Sequence, residues 1–574
     1  MSKFELSPDG LIQTIRSSSS ELVWPLLGAT LVFCCIATRI ISGIQSRVGD
    51  QPGQSQSIRT VPYWFPWLGH SISFMWNHVK FTEKARDYMN APVFAIYMGG
   101  TRHNTIVSPS MIKSVMVSRV TTSVPRLKRA FKAFGDGVGV LGNLNTVDYQ
   151  VFHHKLPNLL MQEPFITEVS TVTTQLLKRD VPNFVTFCRS VVDQTLWERG
   201  SDVDVVDDNC DKLACEVNLF ALVRGFIGNI TTTALMGQAI LEAFPNLLDD
   251  VWTLDNRFPL MMMGIPRWTP IPGVSAAYAS RERLLNSLAT YHQAFLQWDD
   301  GVDPGVKFRD LEDVSEPLKQ RIRTSKSLGL SPRSSASGHL SLLWAMNVNS
   351  SNIAFWHLVH LYADPTLLKE IREEISPYVK AHRPSREETG FPFQEPPRIS
   401  IDLEGLLKFC LLLKASFYET LRLDTADMSF RELTSDLTIT ESNKDATISD
   451  LATPRTYQVR KGESVILHHG VLQNDSQYFS NPGQFDPLRF IVTDPETGGK
   501  KADMHTVHPF GGGMSGCKGR AFAERQLLAF TAATISMWDI EPMDGNRFEI
   551  PRHRQSSGAY LPEKDIRVRI VARV

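Results

Sequence analysis

His508–Gln526 reads HPFGGGMSGCKGRAFAERQ. Pro509 and Phe510 lead into three consecutive glycines, Gly511–Gly513, and Cys517 follows between Gly516 and Gly519. Glycine lets a backbone take positive φ and pass close to a large flat object. From about Lys518 the pattern turns helical. That places the cysteine beside a helix start, where the dipole and the unsatisfied amides favour thiolate. A glycine-lined thiolate has what an iron ligand needs: a negative sulfur, amide donors around it and no bulk in the way. Two other readings compete. Glycine-rich loops also cradle phosphates, but no Gly-Lys-Ser/Thr ending and no strong preceding strand is present. A structural cysteine in a glycine turn is the plainer reading; at these residue frequencies, however, F-x-x-G-x-x-x-C-x-G is far rarer than one chance match per chain.

The rest of the chain is the composition of an ordinary globular protein. In 574 residues, 60 Lys+Arg face 61 Asp+Glu, and 42% are hydrophobic. This excludes a disordered or fibrous chain. The missing basic excess argues against nucleic acid as a partner. Seven cysteines, an odd number without a CxxC pair, build neither a disulfide scaffold nor a zinc site and fit a reduced, cytosol-facing chain.

Leu22–Thr38, LVWPLLGATLVFCCIAT, carries no charge, and Ile40, Ile41 and Ile44 extend it past Arg39. That length is just enough to cross about 30 Å of hydrocarbon. Arg39, Arg47 and Arg59 follow it, against Lys3 and Arg16 before it, which orients the bulk of the chain to the cytosol. A cleaved signal peptide lacks its small-residue cleavage site here; a buried core helix is the other alternative. Pro62, Pro66 and Gly69 punctuate the exit. The expected organisation is a lumenal tail over 1–21, a single transmembrane anchor over 22–44, a linker and proline hinge over 45–70, and one catalytic domain over 71–574.

Apolar spacings of three and four predict helices over Val217–Phe244, Ala279–Trp298, His339–Ala363 and Leu403–Leu423. Strands are expected at Val93–Met98, Thr105–Val107, Leu437–Thr440, Thr456–Val459 and Glu463–Leu467. Ser-rich Thr324–Gly338 reads as a mobile loop between helical blocks, and Asp202–Asp211 as an acidic surface loop. The fold class is mainly α, a large helical domain with small peripheral sheets plus an N-terminal transmembrane helix.

The cysteine loop resembles that of the heme-thiolate enzymes, cytochrome P450. Phe510, Gly511, Gly513, Cys517 and Gly519 fall on that family's heme-binding loop, whose cysteine is the axial iron ligand. In the same order as in the family, Glu419 and Arg422 in SFYETLRL match its E-x-x-R helix, and Phe485, Pro487, Arg489 and Phe490 in FDPLRF match its later segment. The anchor and proline hinge look like those of its endoplasmic-reticulum members, so the resemblance spans residues 22–574. It implies the cytochrome P450 fold, heme b held by Cys517, and a buried network of Glu419, Arg422 and Arg489. Glu83 and Arg86 repeat the E-x-x-R pattern without that context and read as an exposed ion pair. The family's usual basic residue two positions before the cysteine is Ser515 here. Arg431 is then the candidate heme-propionate partner, with His153, His154 or Lys155 for the other propionate.

In the family, the long central helix carries an acid–alcohol pair that delivers protons. Here Asn349 stands at the acid position and Ser350 at the alcohol position. A hydroxyl relays a proton; an amide cannot give one up, so Asn349 is expected to orient water or substrate. The plainer alternative is that both residues cap or kink a core helix. The pattern L-W-A-x-x-x-N followed by A-F-W resembles the sterol 7α- and 12α-hydroxylase and prostacyclin synthase branch, and the cysteine loop resembles fungal biosynthetic members. Arg257–Val274, with Met261–Met263, falls near the family's substrate-channel roof, and its flexible thioethers suit bulky lipophilic ligands. The resemblance implies a membrane-bound monooxygenase of secondary metabolism, acting as a monomer on a sterol, terpenoid or alkaloid-like substrate. No flavin or nicotinamide fingerprint is present, so electrons must arrive from outside the chain; the resemblance implies NADPH through a separate cytochrome P450 reductase, with Lys518, Arg520 and Arg525 as docking candidates. The alternatives are an isomerase or dehydratase acting on a peroxide without a reductase, and a heme-binding carrier without turnover.

Overall fold

A computed structural model describes residues 8–47, 56–137, 139–207, 213–391, 395–425, 428–448, 453–543, 545, 548–556 and 558–574, with backbone alone for 8–23, 146, 207 and 213. The first seven residues of the expected tail, residues 48–55 of the expected linker and part of the acidic loop lie outside the described residues. The chain divides into two compact units: Met1–Thr122 with Met428–Leu472, and Ser123–Asp427 with Gln473–Val574.

In the first unit, a helix runs over Pro8–Gln45, and its Trp24–Gln45 stretch is long and apolar enough to cross a membrane while burying almost none of its surface. Its end is tied to the chain that follows. Ser42 Oγ accepts from the Tyr63 amide at 3.1 Å and donates to the Tyr63 carbonyl at 3.2 Å, and the Arg39 guanidinium sits 5.6 Å from the Trp64 ring centre. A five-stranded sheet is ordered Val93–Met98, Thr101–Ile106, Ser464–Leu467, Ser429–Leu433 and Thr121–Thr122. The first two strands form a hairpin whose turn, Gly99 and Gly100, takes φ of 54° and 80°; this left-handed pair matches the strand twist and is open to glycine. The expected strands Leu437–Thr440 and Thr456–Val459 pair with each other.

The second unit is helical. Leu219–Met236 is also long and apolar enough to cross a membrane, but it is buried as a core helix. The helix expected over Val217–Phe244 is shorter because Val217 belongs to the strand Leu213–Asn218 and Gly237, with φ of 79°, stops the helix. The expected Leu403–Leu423 helix breaks at Cys410 into Leu403–Phe409 and Leu411–Asp424. The loop expected over Thr324–Gly338 is corrected. Glu316–Ser327 is a helix, and the central helix begins at Pro332 and continues to Ala363. Ser331 caps it by accepting from the Ser334 amide at 3.1 Å, with Pro332 at the first helical position. Trp538–Pro542, Arg567–Ala572, Leu213–Asn218 and Asp204–Asp207 form a four-stranded sheet in that order.

Three buried histidines in this unit are held neutral. His292 and His339 share a 2.9 Å nitrogen–nitrogen hydrogen bond, which needs one unprotonated nitrogen. His357 lies within hydrogen-bond reach of Ser416 at 2.8 Å and Thr531 at 3.0 Å. Burial lowers His292 to about 4; burial, then the charge of neighbouring His360, lowers His357 to about 3. Burial, with His292 and Arg321 adding to it, puts His339 well below its ordinary value. Because the folded values are depressed, the unfolded chain binds protons first. Their contribution to stability is complete above about pH 6.5 and is lost as pH falls, at up to about 1.4 kcal/mol per pH unit for each histidine. Denaturant midpoints are therefore expected to fall steeply from pH 7 to pH 5; a midpoint unchanged over that range would contradict neutral burial.

Candidate active site

The cysteine loop is shaped by its glycines. Gly511 and Gly513 have φ of 62° and 64°, the left-handed region that disfavours side chains. The Cys517 amide donates to the Phe510 carbonyl at 2.8 Å, the Gly511 amide to His508 at 2.9 Å and the Gly516 amide to Gly513 at 3.1 Å. The helix behind the loop starts at Arg520 rather than Lys518, with Gly519 at its N-cap. A Cβ on Gly519 would lie 3.9 Å from the Cys517 sulfur, so this position keeps the sulfur's flank clear. Cys517 is exposed, whereas Cys215 and Cys410 are buried and burial first, then nearby carboxylates, pushes both thiols up to about 12. Among these three, Cys517 alone has the accessibility of a metal ligand. An exposed sulfur in a glycine cradle fits a thiolate-ligated heme.

Glu419, Arg422 and Arg489 come together as the resemblance implied. The Glu419 carboxylate accepts from Arg422 Nε and Nη2, both at 2.7 Å, from Arg489 Nε at 3.1 Å and from the Asp486 amide at 3.0 Å. Arg422 also donates to the Gln473 carbonyl at 2.6 Å and the Gln484 carbonyl at 3.3 Å; Arg489 donates to Ser480 at 3.1 Å and Gln484 at 3.3 Å. Glu419 and Arg422 are fully buried. The network thus ties the E-x-x-R helix to the segment before the cysteine loop with every charge compensated. The look-alike Glu83–Arg86 pair differs in setting: Arg86 is half-buried, with its Nε 3.1 Å from exposed Asp87.

Ser515 lies 3.2 Å, hydroxyl to hydroxyl, from Ser123. Arg431 lies on the strand Ser429–Leu433 in the first unit, is buried and has Nη1 on the Phe430 carbonyl at 2.9 Å. Among the described residues no carboxylate lies within ion-pair reach of it, and burial lowers its pKa. Burial lowers His153 to about 4, and its Nε2 lies 3.0 Å from the Leu141 carbonyl. His154 is lowered by burial and then by Lys518. Arg525, a docking candidate in the sequence, is half-buried, and its Nε has no hydrogen-bond partner among the described residues.

Asn349 and Ser350 lie in the unbroken interior of the central helix, so neither caps it. Asn349 Oδ1 accepts from the Ala559 amide at 3.0 Å. Asn352 Nδ2 donates to the Ala559 carbonyl at 3.1 Å, and Trp356 Nε1 to the Tyr560 carbonyl at 2.8 Å. From sequence Trp356 entered only as part of the A-F-W pattern and Asn352 was not singled out, although Asn349, Asn352 and Trp356 recur at helical spacing. His360 and His553 were missed as well; their Nε2 atoms each lie 2.8 Å from the buried Asp424 carboxylate. Burial alone would raise Asp424, but the two imidazoles outweigh it and hold the carboxyl below its ordinary range. Of the methionine run, Met261 is buried, packed in one core cluster with Phe134, Phe258 and Leu340, while Met263 is exposed. The Phe258 ring stacks 4.5 Å from Phe134 and lies 4.8 Å from Trp344 on the central helix.

The family model for cytochrome P450 matches residues 318–570, which hold the central helix, the E-x-x-R network and the cysteine loop. Over 484 residues the chain is 25% identical to cytochrome P450 monooxygenase poxD of Penicillium oxalicum, covering 84% of this chain and 86% of that protein. It is 24% identical over 576 residues to cytochrome P450 monooxygenase efuG of Hormonema carpetanum, 93% of each. It is 24% identical over 365 residues to the rat 25-hydroxycholesterol 7-alpha-hydroxylase, 62% of this chain and 79% of that one. The family match reaches across the loop and the network described above, and with these relatives it supports a cytochrome P450 monooxygenase, an oxidoreductase.

Proposed function

We propose that this chain is a membrane-anchored heme-thiolate monooxygenase that inserts one oxygen atom from O2 into a bulky lipophilic substrate, sterol, terpenoid or alkaloid-like, in secondary-metabolite biosynthesis. The observation that carries it is the exposed Cys517 in its glycine cradle, backed by the closed Glu419–Arg422–Arg489 network. Cys517 would hold heme b, and that group would supply the dioxygen-activating chemistry when bound. Phe510, Gly511, Gly513 and Gly519 shape the approach to the sulfur. Arg431, a buried cation with no carboxylate partner among the described residues, suits a propionate. Ser350 supplies a hydroxyl for proton relay on the central helix. NADPH electrons arrive through a separate reductase, with Lys518 and Arg520 as contacts. The 25-hydroxycholesterol 7-alpha-hydroxylase relative supports a sterol-like substrate, and the fungal monooxygenases support the reaction type.

The chain is read as a single-pass protein of the endoplasmic reticulum with a cytosolic catalytic domain over 71–574, acting as a monomer. The Trp24–Gln45 stretch supports this, as does a run of exposed apolar side chains just after it: Trp64, Phe65, Trp67, Ile72 and Trp76. Exposed aromatics in such number suit a membrane–water interface.

A second reading, an isomerase or dehydratase acting on a peroxide, is favoured by one observation: an amide, Asn349, where the family has its proton-delivering acid. Carbonate-washed microsomes holding the full chain separate the two. Conversion of a lipophilic metabolite is expected with NADPH and reductase. Conversion with a hydroperoxide and none with NADPH and reductase would overturn the monooxygenase reading, and release of the chain by carbonate would overturn the anchor.

A further inference from the structure

We propose that Asn349 is a positioning residue. With Asn352 and Trp356 it clamps the backbone of Gly558, Ala559 and Tyr560 against the central helix, and this clamp sets how bulky ligands fit beside that helix. The inference rests on the heme-thiolate reading above and changes the role of Asn349 within it. Its sequence position suggested a group orienting water or substrate. In the structure its carbonyl oxygen accepts the Ala559 N–H at 3.0 Å, while Asn352 Nδ2 donates to the Ala559 C=O at 3.1 Å. Two side-chain amides three residues apart on one helix face thus satisfy both polar groups of a single buried residue. One turn on, Trp356 Nε1 donates to the Tyr560 carbonyl at 2.8 Å.

Gly558 completes the clamp. A Cβ there would lie 2.5 Å from Asn349 Oδ1, 3.2 Å from its Cγ and 3.3 Å from its Nδ2. The asparagine and the absence of a side chain at 558 are therefore a matched pair. The far side of the segment is held as firmly. The Tyr560 amide donates to the Asp424 carbonyl at 2.8 Å, and Thr425 bridges Ala559. His553, 2.8 Å from the Asp424 carboxylate, stacks on the Tyr560 ring at 4.3 Å. The segment spans from the central helix to the end of the E-x-x-R helix and has no slack to move without breaking these bonds. Ser350, next to Asn349, is left as the hydroxyl for proton relay.

The test titrates the full-length holoprotein with bare imidazole and with bulky clotrimazole, following the heme difference spectrum, together with thermal unfolding. Asn349→Ala leaves the Ala559 N–H buried without its acceptor, and Gly558→Ala pushes against the Asn349 amide. Each is expected to weaken clotrimazole about tenfold, the scale of one buried hydrogen bond, and imidazole by less than about threefold. The double variant is expected to match Asn349→Ala, because the added Cβ then meets no amide. Asn349→Asp keeps an acceptor and is expected to restore clotrimazole binding and the unfolding temperature. Equal losses for both azoles, no loss in Asn349→Ala, multiplied losses in the double variant, or no rescue by aspartate would each overturn the clamp. A wild-type protein without the thiolate-type carbon-monoxide band would instead overturn the heme-thiolate reading. Should Asn349→Ala fail to fold, Gly558→Ala and Asn349→Asp still decide the matter.

Discussion

Glu419→Ala is expected to yield little or no heme-replete protein. Glu419 is fully buried and is the one carboxylate at the centre of the network, accepting from two guanidinium groups and a backbone amide. Removing it leaves Arg422, itself fully buried, as an uncompensated charge. Breaking one side of such a pair destabilises by ~3–5 kcal/mol, against a total stability of ~5–15 kcal/mol for a folded domain. The loss falls between the E-x-x-R helix and the segment running to the cysteine loop, so heme retention should fail along with stability. Arg489→Lys should be milder. Its side chain is partly exposed and it makes one of the four bonds to the carboxylate, so ~1–2 kcal/mol is the scale expected for losing part of a charge-assisted bond. Glu83→Ala, in the same sequence pattern on a more exposed helix, should stay within about 0.5 kcal/mol of the parent. Heme content and urea midpoints of the three variants check the ranking. A Glu419→Ala protein purified with normal heme content and midpoint would contradict it.

That ranking also shows where the sequence could be read and where it could not. Both E-x-x-R pairs look alike locally, and order along the chain separated them: Glu419 stands ahead of Arg489 and Cys517 in a fixed succession. The cysteine loop was legible because its glycines are required by backbone geometry, which leaves a mark at the residue itself; Gly511 and Gly513 do take positive φ. The start of the central helix was not legible. Its serines pointed to a loop, yet Ser334, Ser335 and Ser337 are buried inside the helix, and tertiary packing overrides a weak propensity. The strand Arg567–Ala572 was also missed. Its partners Leu213–Asn218 and Trp538–Pro542 are set by long-range pairing, and one strand carries no local sign of that. Asn349 is the sharpest case. Its amide was visible as a departure from the family pattern, but the backbone it holds lies 210 residues further on.

Cys517→Ser is expected to abolish monooxygenation and the thiolate-type carbon-monoxide band while leaving the polypeptide folded. The residue is exposed, and the hydrogen bond its backbone N–H donates to the Phe510 carbonyl is independent of the side chain. Exchanging sulfur for oxygen there should change the stability of the heme-free chain by about 0.5 kcal/mol or less. The holoprotein should lose more, because a group bound only by the folded state stabilises it in proportion to its affinity. The contrast with Glu419→Ala is therefore diagnostic: one variant loses the ligand and keeps the scaffold, the other loses the scaffold and the ligand with it. Cys410→Ser provides the opposite control. That thiol is buried and held up at about 12 by burial, then by Glu374 and Asp402, so it is inert as a ligand and its replacement should leave the thiolate band in place. Reduced carbon-monoxide spectra of the two variants, recorded beside circular dichroism, separate these outcomes. An unaltered band in Cys517→Ser would remove the sulfur from the iron, and a lost band in Cys410→Ser would move the ligand to the wrong cysteine.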